Sequence, residues 1–138
     1  MDPFHMESIT AGGHCAVLRI DGDIDAYAAP QLRDRVTDLA GHGTVHIIAD
    51  LRGAGFLDSA GLGALVGSLK RLRTRGGSLT LVASTDRILQ IFRITGLSDA
   101  FALHSCVPDA ITADQHWQAA VSGERGSAGE WCRKHRLL

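Results

Sequence analysis

Asp50-Leu51-Arg52-Gly53-Ala54-Gly55-Phe56-Leu57-Asp58-Ser59-Ala60-Gly61-Leu62-Gly63 joins an apolar strand to a helix through a glycine-broken turn. Just before it lies Val45-His46-Ile47-Ile48-Ala49, short, mostly β-branched and apolar on both faces, bounded by Gly43 and Asp50. Those are the marks of a central strand covered by helices. After it, Leu62, Leu65, Val66, Leu69 and Leu72 recur at steps of three and four, which makes one buried helical stripe. Lys70, Arg71, Arg73 and Arg75 put positive charge against the C-terminal end of the helix dipole, and Gly76-Gly77 ends the helix. Strand, turn and helix form the repeating unit of a layered α/β fold, and the turn delivers Asp58-Ser59 to a helix start.

The same alternation extends in both directions. Upstream, Glu7 to Thr10 reads as an edge strand, and Gly12-Gly13 turns the chain into a second strand, Cys15-Ala16-Val17-Leu18-Arg19-Ile20, closed by Asp21-Gly22. Pro30 occupies a first-turn helical position, with Leu32, Val36 and Leu39 at helical spacing up to Gly41. Downstream, Leu79-Thr80-Leu81-Val82 is a strand and Arg87 to Thr95 a helix stopped by Gly96. A short strand around Phe101 to His104 and a last helix from Pro108 to about Val121 follow. Two leading strands suit a hairpin, and the later alternation predicts parallel neighbours joined by crossover helices. Beyond Ser122 the composition turns to Gly, Ser and charge, which predicts a flexible tail over 122–138. Met1 to His5, ahead of a His-Met junction, read as a vector-derived leader, so that a single domain spans 6–121.

Composition narrows the function. With 138 residues and 45% hydrophobic content the chain closes one core, and aromatics at 5% leave Leu, Ile, Val and Ala to fill it. Fourteen Lys and Arg against 15 Asp and Glu give no global field for nucleic acid or an anionic membrane. No apolar run is long enough to span a bilayer. Cys15, Cys106 and Cys132 are odd in number and widely spaced, with neither a disulfide framework nor a zinc pattern, which fits a reducing cytoplasm.

Several chemistries fail on spacing. Leu57 stands where a hydrolase nucleophile elbow requires its first glycine before Ser59. Gly61-Leu62-Gly63 lacks the third glycine of a dinucleotide fingerprint, Val66 being in its place, and no Gly-Lys-Ser/Thr follows for a phosphate loop; these small residues instead let the helix start close to a neighbouring backbone, or let a partner approach. Asp21-Gly22-Asp23-Ile24-Asp25 opens like a calcium loop, but Ala26 replaces the turn glycine and Leu32 the bidentate glutamate. That run is otherwise an acidic turn with a helix cap. The histidines, His14, His46 and His116 among them, show no ligand spacing and read as structural or surface residues. The basic stretch Lys70 to Arg75 and the C-terminal Arg133-Lys134-His135-Arg136 read as solvated faces. For Ser59 two readings stand side by side. A serine at a helix start is a common N-cap, a role for which Asp58 competes, and it is equally a hydroxyl well placed to take a phosphate.

Taken together, these residues resemble the STAS domain, and within it the bacterial anti-sigma factor antagonists. The likeness is carried by Leu18-Arg19-Ile20-Asp21-Gly22-Asp23-Ile24-Asp25, Leu32-Arg33, Phe56-Leu57-Asp58-Ser59-Ala60-Gly61-Leu62-Gly63, Arg75-Gly76-Gly77-Ser78-Leu79 and Ile94-Thr95-Gly96-Leu97. It covers about residues 15 to 104. The resemblance implies an α/β domain with a mixed sheet of four or five strands packed against about four helices. It also implies a phosphoacceptor at Ser59 and a partner-binding surface made by Asp23, Asp25, Asp58, Ala60, Gly61 and Leu62. Asp23 and Asp25 match the family's acidic turn beside the phosphorylated serine. Asp23 stands where the family has a glutamate, one methylene longer, and Ala60 removes a second hydroxyl often present. The implied partners are an anti-sigma factor that is itself a serine kinase of histidine-kinase-like ATPase fold, and a separate serine phosphatase. The chain is then a substrate rather than an enzyme, needs no cofactor or metal, touches no nucleic acid directly and inserts in no membrane. Two other roles of the same fold are a scaffold subunit of a multi-protein signalling complex and a soluble subunit of a membrane transporter.

Overall fold

The computed structural model describes residues 3–123 and 127–138. In chain order the elements are β1 (His5–Ala11), β2 (Cys15–Ile24), α1 (Ala29–Gly41), β3 (His46–Leu57), α2 (Ser59–Arg73), β4 (Ser78–Val82), α3 (Asp86–Ile94), β5 (Ala102–His104), α4 (Val107–Thr112), α5 (Gln115–Gly123) and α6 (Ala128–Lys134). The strands form one five-stranded sheet in the order β1-β2-β3-β4-β5. β1 and β2 pair antiparallel, and each later pair is parallel. This is the mixed sheet that hairpin and crossover reasoning predicts.

Period-two alternation splits the strands between two cores. Leu18 and Ile20 of β2, Ile47, Ala49 and Leu51 of β3, and Leu79 and Leu81 of β4 face α1, α2 and α3. The opposite face carries Cys15, Val17, Ile48 and Val82, and α4, α5 and α6 cover it with Val107, Ile111, Trp117, Val121, Trp131 and Cys132. Strands covered on both faces read as near-continuous apolar runs, as the stretches around Leu18 and Ile47 do.

The structure departs from the sequence expectation in several places. β2 and β3 run longer than predicted, to Ile24 and Leu57, through irregular registers between Arg19 and Asp21 and between Gly22 and Asp23. Gly22 allows this with a φ of 91°, a backbone conformation side chains oppose. Asp21 to Ile24 is therefore strand, not turn. The single helix expected over Pro108 to Val121 is two, α4 and α5, so that the described residues hold six helices rather than about four. Asp114 causes the break, because its Oδ1 accepts the N–H of His116 at 2.8 Å and of Trp117 at 3.2 Å and so starts a new helix.

The N-terminal residues pack into the fold, and the C-terminal end departs from the expected flexible tail. His5, assigned to a leader, opens β1 opposite Asp21, and Phe4 packs on the larger core. Met1 and Asp2 lie outside the described residues. Of the predicted flexible tail, 124–126 lie outside the described residues, but 128–134 form α6. Trp131 is 4% exposed, Cys132 and Leu137 fully buried. The tail's charged letters hid an amphipathic helix too short to announce itself by periodicity. Its exit is clamped to the sheet. Arg52 pairs with the buried Asp50 through two 2.9 Å hydrogen bonds and donates a third, also 2.9 Å, to the Leu137 carbonyl. Arg19 donates to the Arg136 carbonyl at 3.3 Å. Because Trp131 fills core volume, Trp131→Ala is expected to lower stability by about 3–5 kcal/mol in urea denaturation. A loosely attached tail would leave the midpoint unchanged.

Candidate functional site

Parallel pairing sends the C-terminal ends of β2 and β3 to the same sheet edge. There Asp23 sits opposite Phe56 and Ile24 opposite Leu57. The Asp58 N–H donates to the Ile24 carbonyl at 3.2 Å, which stitches the start of α2 to the end of β2. Gly61, one turn into α2, is the reason the two approach so closely. It is buried, and a Cβ there would run into the Ile24 carbonyl oxygen and crowd the Ile24 and Leu57 side chains. Of the two roles the small residues here suggested, close approach to a neighbouring backbone or room for a partner, the Gly61 contact with Ile24 is the first. Ala60 and Leu62 are half-buried and pack on the larger core, leaving part of each exposed.

The competition between Asp58 and Ser59 for the cap is resolved by geometry. Asp58 is extended (φ −96°, ψ −176°) and its Oδ1 accepts the Gly61 N–H at 2.9 Å. Ser59 is the first residue of α2 and is exposed. The helix end is thus satisfied without it. An exposed hydroxyl remains at the positive pole of a 15-residue helix.

Asp25 has a structural task as well. Its Oδ1 accepts the N–H groups of Tyr27 and Ala28, both at 3.0 Å, and so shapes the turn into α1. Asp23 is half-buried on β2, next to the strand that carries Phe56. The edge accordingly gathers Asp23, Asp25, Asp58 and Ser59, which stand far apart in sequence. Two neighbours escaped the sequence analysis. Tyr27 is 81% exposed on the Asp25 turn and Phe56 is 45% exposed beside Asp23. Both are large apolar side chains at an acidic edge. Phe56 lay within the diagnostic stretch and the one tyrosine of the chain stood just before Pro30, but neither position reveals exposure. Arg87 of α3 holds the approach to the site by donating to the Gly55 carbonyl at 3.3 Å.

A STAS domain model matches residues 7–110. The chain belongs to the STAS domain family. Within that family, the anti-sigma-B factor antagonist of Bacillus subtilis (strain 168) is 42% identical over 82 residues, 59% of this chain and 74% of that protein. The anti-sigma-B factor antagonist of Staphylococcus aureus (strain NCTC 8325 / PS 47) is 37% identical over 82 residues, 59% of this chain and 76% of that protein. The crystal structure of an anti-sigma factor antagonist from Mycobacterium paratuberculosis superimposes with a TM-score of 0.73 at 27% identity, covering 81% of this chain and 94% of that one. The STAS match ends before α5 and α6, so these helices lie outside the residues it covers. Among the described residues of this STAS chain, no helix is long and apolar enough to cross a membrane.

Because Asp58 caps α2 and Ser59 does not, Asp58→Ala is expected to cost about 1 kcal/mol in chemical denaturation, and Ser59→Ala less than about 0.5 kcal/mol. Equal losses would mean that the two residues share the cap. Gly61→Ala should destabilise through its clash with Ile24, whereas Gly63→Ala, into open space, should gain up to about 1 kcal/mol of helix propensity.

Proposed function

We propose that this chain is an anti-sigma factor antagonist that binds an anti-sigma factor through the sheet edge around Ser59 and loses that binding when Ser59 is phosphorylated. The supporting observation is the division of labour at the start of α2: Asp58 satisfies the helix end, and the Ser59 hydroxyl is left exposed. The names of the relatives point to the same role. Binding of the anti-sigma factor would release a sigma factor for transcription.

In this reading the anti-sigma factor is also the kinase, with a histidine-kinase-like ATPase fold. The Ser59 oxygen attacks the γ-phosphorus of its bound ATP, ADP leaves, and the hydroxyl proton passes to a base of the partner. Ala60 offers no second hydroxyl in the loop. A serine phosphatase restores the hydroxyl by hydrolysis.

The phosphate adds about −1.5 to −2 charge at neutral pH. The α2 N-terminus accepts that charge, so the domain needs no refolding. A partner's surface meets it differently. It was fitted to a neutral hydroxyl flanked by Asp58 and Asp23, and now faces added bulk and like charge. A penalty of about 2.7 kcal/mol weakens binding about a hundredfold. Tyr27 and Phe56 supply the apolar anchors that such an interface requires at its centre, with the aspartates as its rim.

The test is incubation with the cognate anti-sigma factor and ATP, followed by mapping of the modified residue. Modification at Ser59, abolished in Ser59→Ala, is expected. Ser59→Asp should stay folded and bind the anti-sigma factor about a hundredfold more weakly. Undiminished affinity of Ser59→Asp, or phosphorylation of Ser59→Ala at the wild-type rate, would count against this function.

A further inference from the structure

At the opposite end of the sheet, the first rung of the parallel strands is Cys15, His46 and Ser78, paired across β2, β3 and β4. Nine strand steps of about 3.3 Å separate it from Ile24, so it lies about 30 Å from the Ser59 edge. His46 is 7% exposed. Its ring stacks on that of His116, in the first turn of α5, with centroids 3.9 Å apart and planes at 12°. We propose that this histidine pair is an acid-sensitive latch: neutral His46, stacked on His116, helps hold α5, and through it α6, on the sheet, and protonation of His46 releases this C-terminal cap.

The groups that face His46 come from every element packed around it. His14 approaches from the β1–β2 turn, its Nδ1 donating to the Gly43 carbonyl at 3.1 Å. Cys15 lies alongside on β2. Ser78 of β4 shares a 3.0 Å hydrogen bond with His46 Nδ1. His116 covers it from α5, and Asp114 stands where α4 gives way to α5. Burial lowers the His46 pKa first, and the neighbouring His116 and His14 lower it further. Asp114 opposes them, but its Oδ1 already accepts two N–H groups of α5. His116 itself stands in the first turn of α5 and is exposed. A cavity of about 680 Å³, bordered by His14, His46, Gln115, His116 and the Gly12–Gly13 turn, lets solvent and protons reach the rings.

The sign follows from linkage. A histidine whose pKa is lowered in the closed state binds more protons once released. Closure is therefore fully favoured above the ordinary imidazole value near 6.5, and weakens as pH falls through it toward the depressed value. Besides the Arg52 and Arg19 clamps on the Leu137 and Arg136 carbonyls, apolar packing opposes release. Trp117 meets Trp131 edge to face with centroids 5.4 Å apart, over Cys15, Val17, Ile48 and Val82. That packing carries a cost, since the buried Trp117 indole N–H has no hydrogen-bond partner among the described residues. Opening would uncover both tryptophans and one apolar face of the sheet, while the Ser59 edge, built on α1 and α2, stays in place.

Amide hydrogen exchange by mass spectrometry, at pH 8 and pH 5, each normalised to the unfolded chain at the same pH, reads the latch directly. Protection of peptides from 115–123 and 128–137 should fall at pH 5, while peptides from β3 and β4 keep theirs. His116→Gln, at an exposed position that tolerates the change, should flatten this pH dependence, and His46→Gln should do the same. Unchanged cap protection at pH 5, an equal loss across the whole sheet, or an undiminished pH effect in a folded His116→Gln chain would each overturn the proposal.

Discussion

The contact on which the site depends is the close approach of α2 to the end of β2 at Gly61. A helix can begin directly beyond β3 and still lie against its neighbouring strand only if the residue facing that strand has no side chain. With Gly61 against the Ile24 carbonyl, and Asp58 donating its N–H to the same oxygen, the start of α2 is held from two directions. Any side chain at Gly61 would push the helix start outward and carry Ser59 with it. The position of the exposed hydroxyl is therefore a consequence of backbone packing.

That arrangement puts the helix cap and the exposed hydroxyl on adjacent residues. Asp58 satisfies the start of α2, and Asp25 performs the equivalent service for the turn into α1. Ser59, Tyr27 and Phe56 are left with their side chains exposed. A modification confined to Ser59 can then change what the edge presents without changing what holds the domain together. Under the proposed switch, electrostatics would favour the same outcome, because the helix pole that would accept a phosphate belongs to the chain itself, while the cost of the new charge would fall on a partner docked beside the aspartates.

The two faces of the sheet divide along the same line. α1, α2 and α3 form the layer that builds the Ser59 edge, and α4, α5 and α6 form a second layer with its own core. The second layer relies on two tryptophans and on Arg52 and Arg19 gripping the last backbone carbonyls. Residues far apart in the chain thus share one load: Asp50, buried in the central strand, requires Arg52, and Arg52 in turn fixes Leu137.

By itself the sequence determined the alternation of strands and helices, the mixed sheet and the placement of Asp58-Ser59 at a helix start. Each of these rests on local regularity, either a period of two or 3.6 or a glycine or proline that ends an element. The STAS resemblance rested on the same local strings. Tertiary structure decided what depended on residues distant in the chain. It chose Asp58 over Ser59 as the cap, set Gly61 against the Ile24 carbonyl, and drew Asp21 to Ile24 into the sheet beside the extended β3. It also seated Trp131, Cys132 and Leu137 in a core that their polar surroundings did not suggest. Burial and proximity are properties of the packed chain, and a run of letters carries them only where a regular period makes the buried face visible.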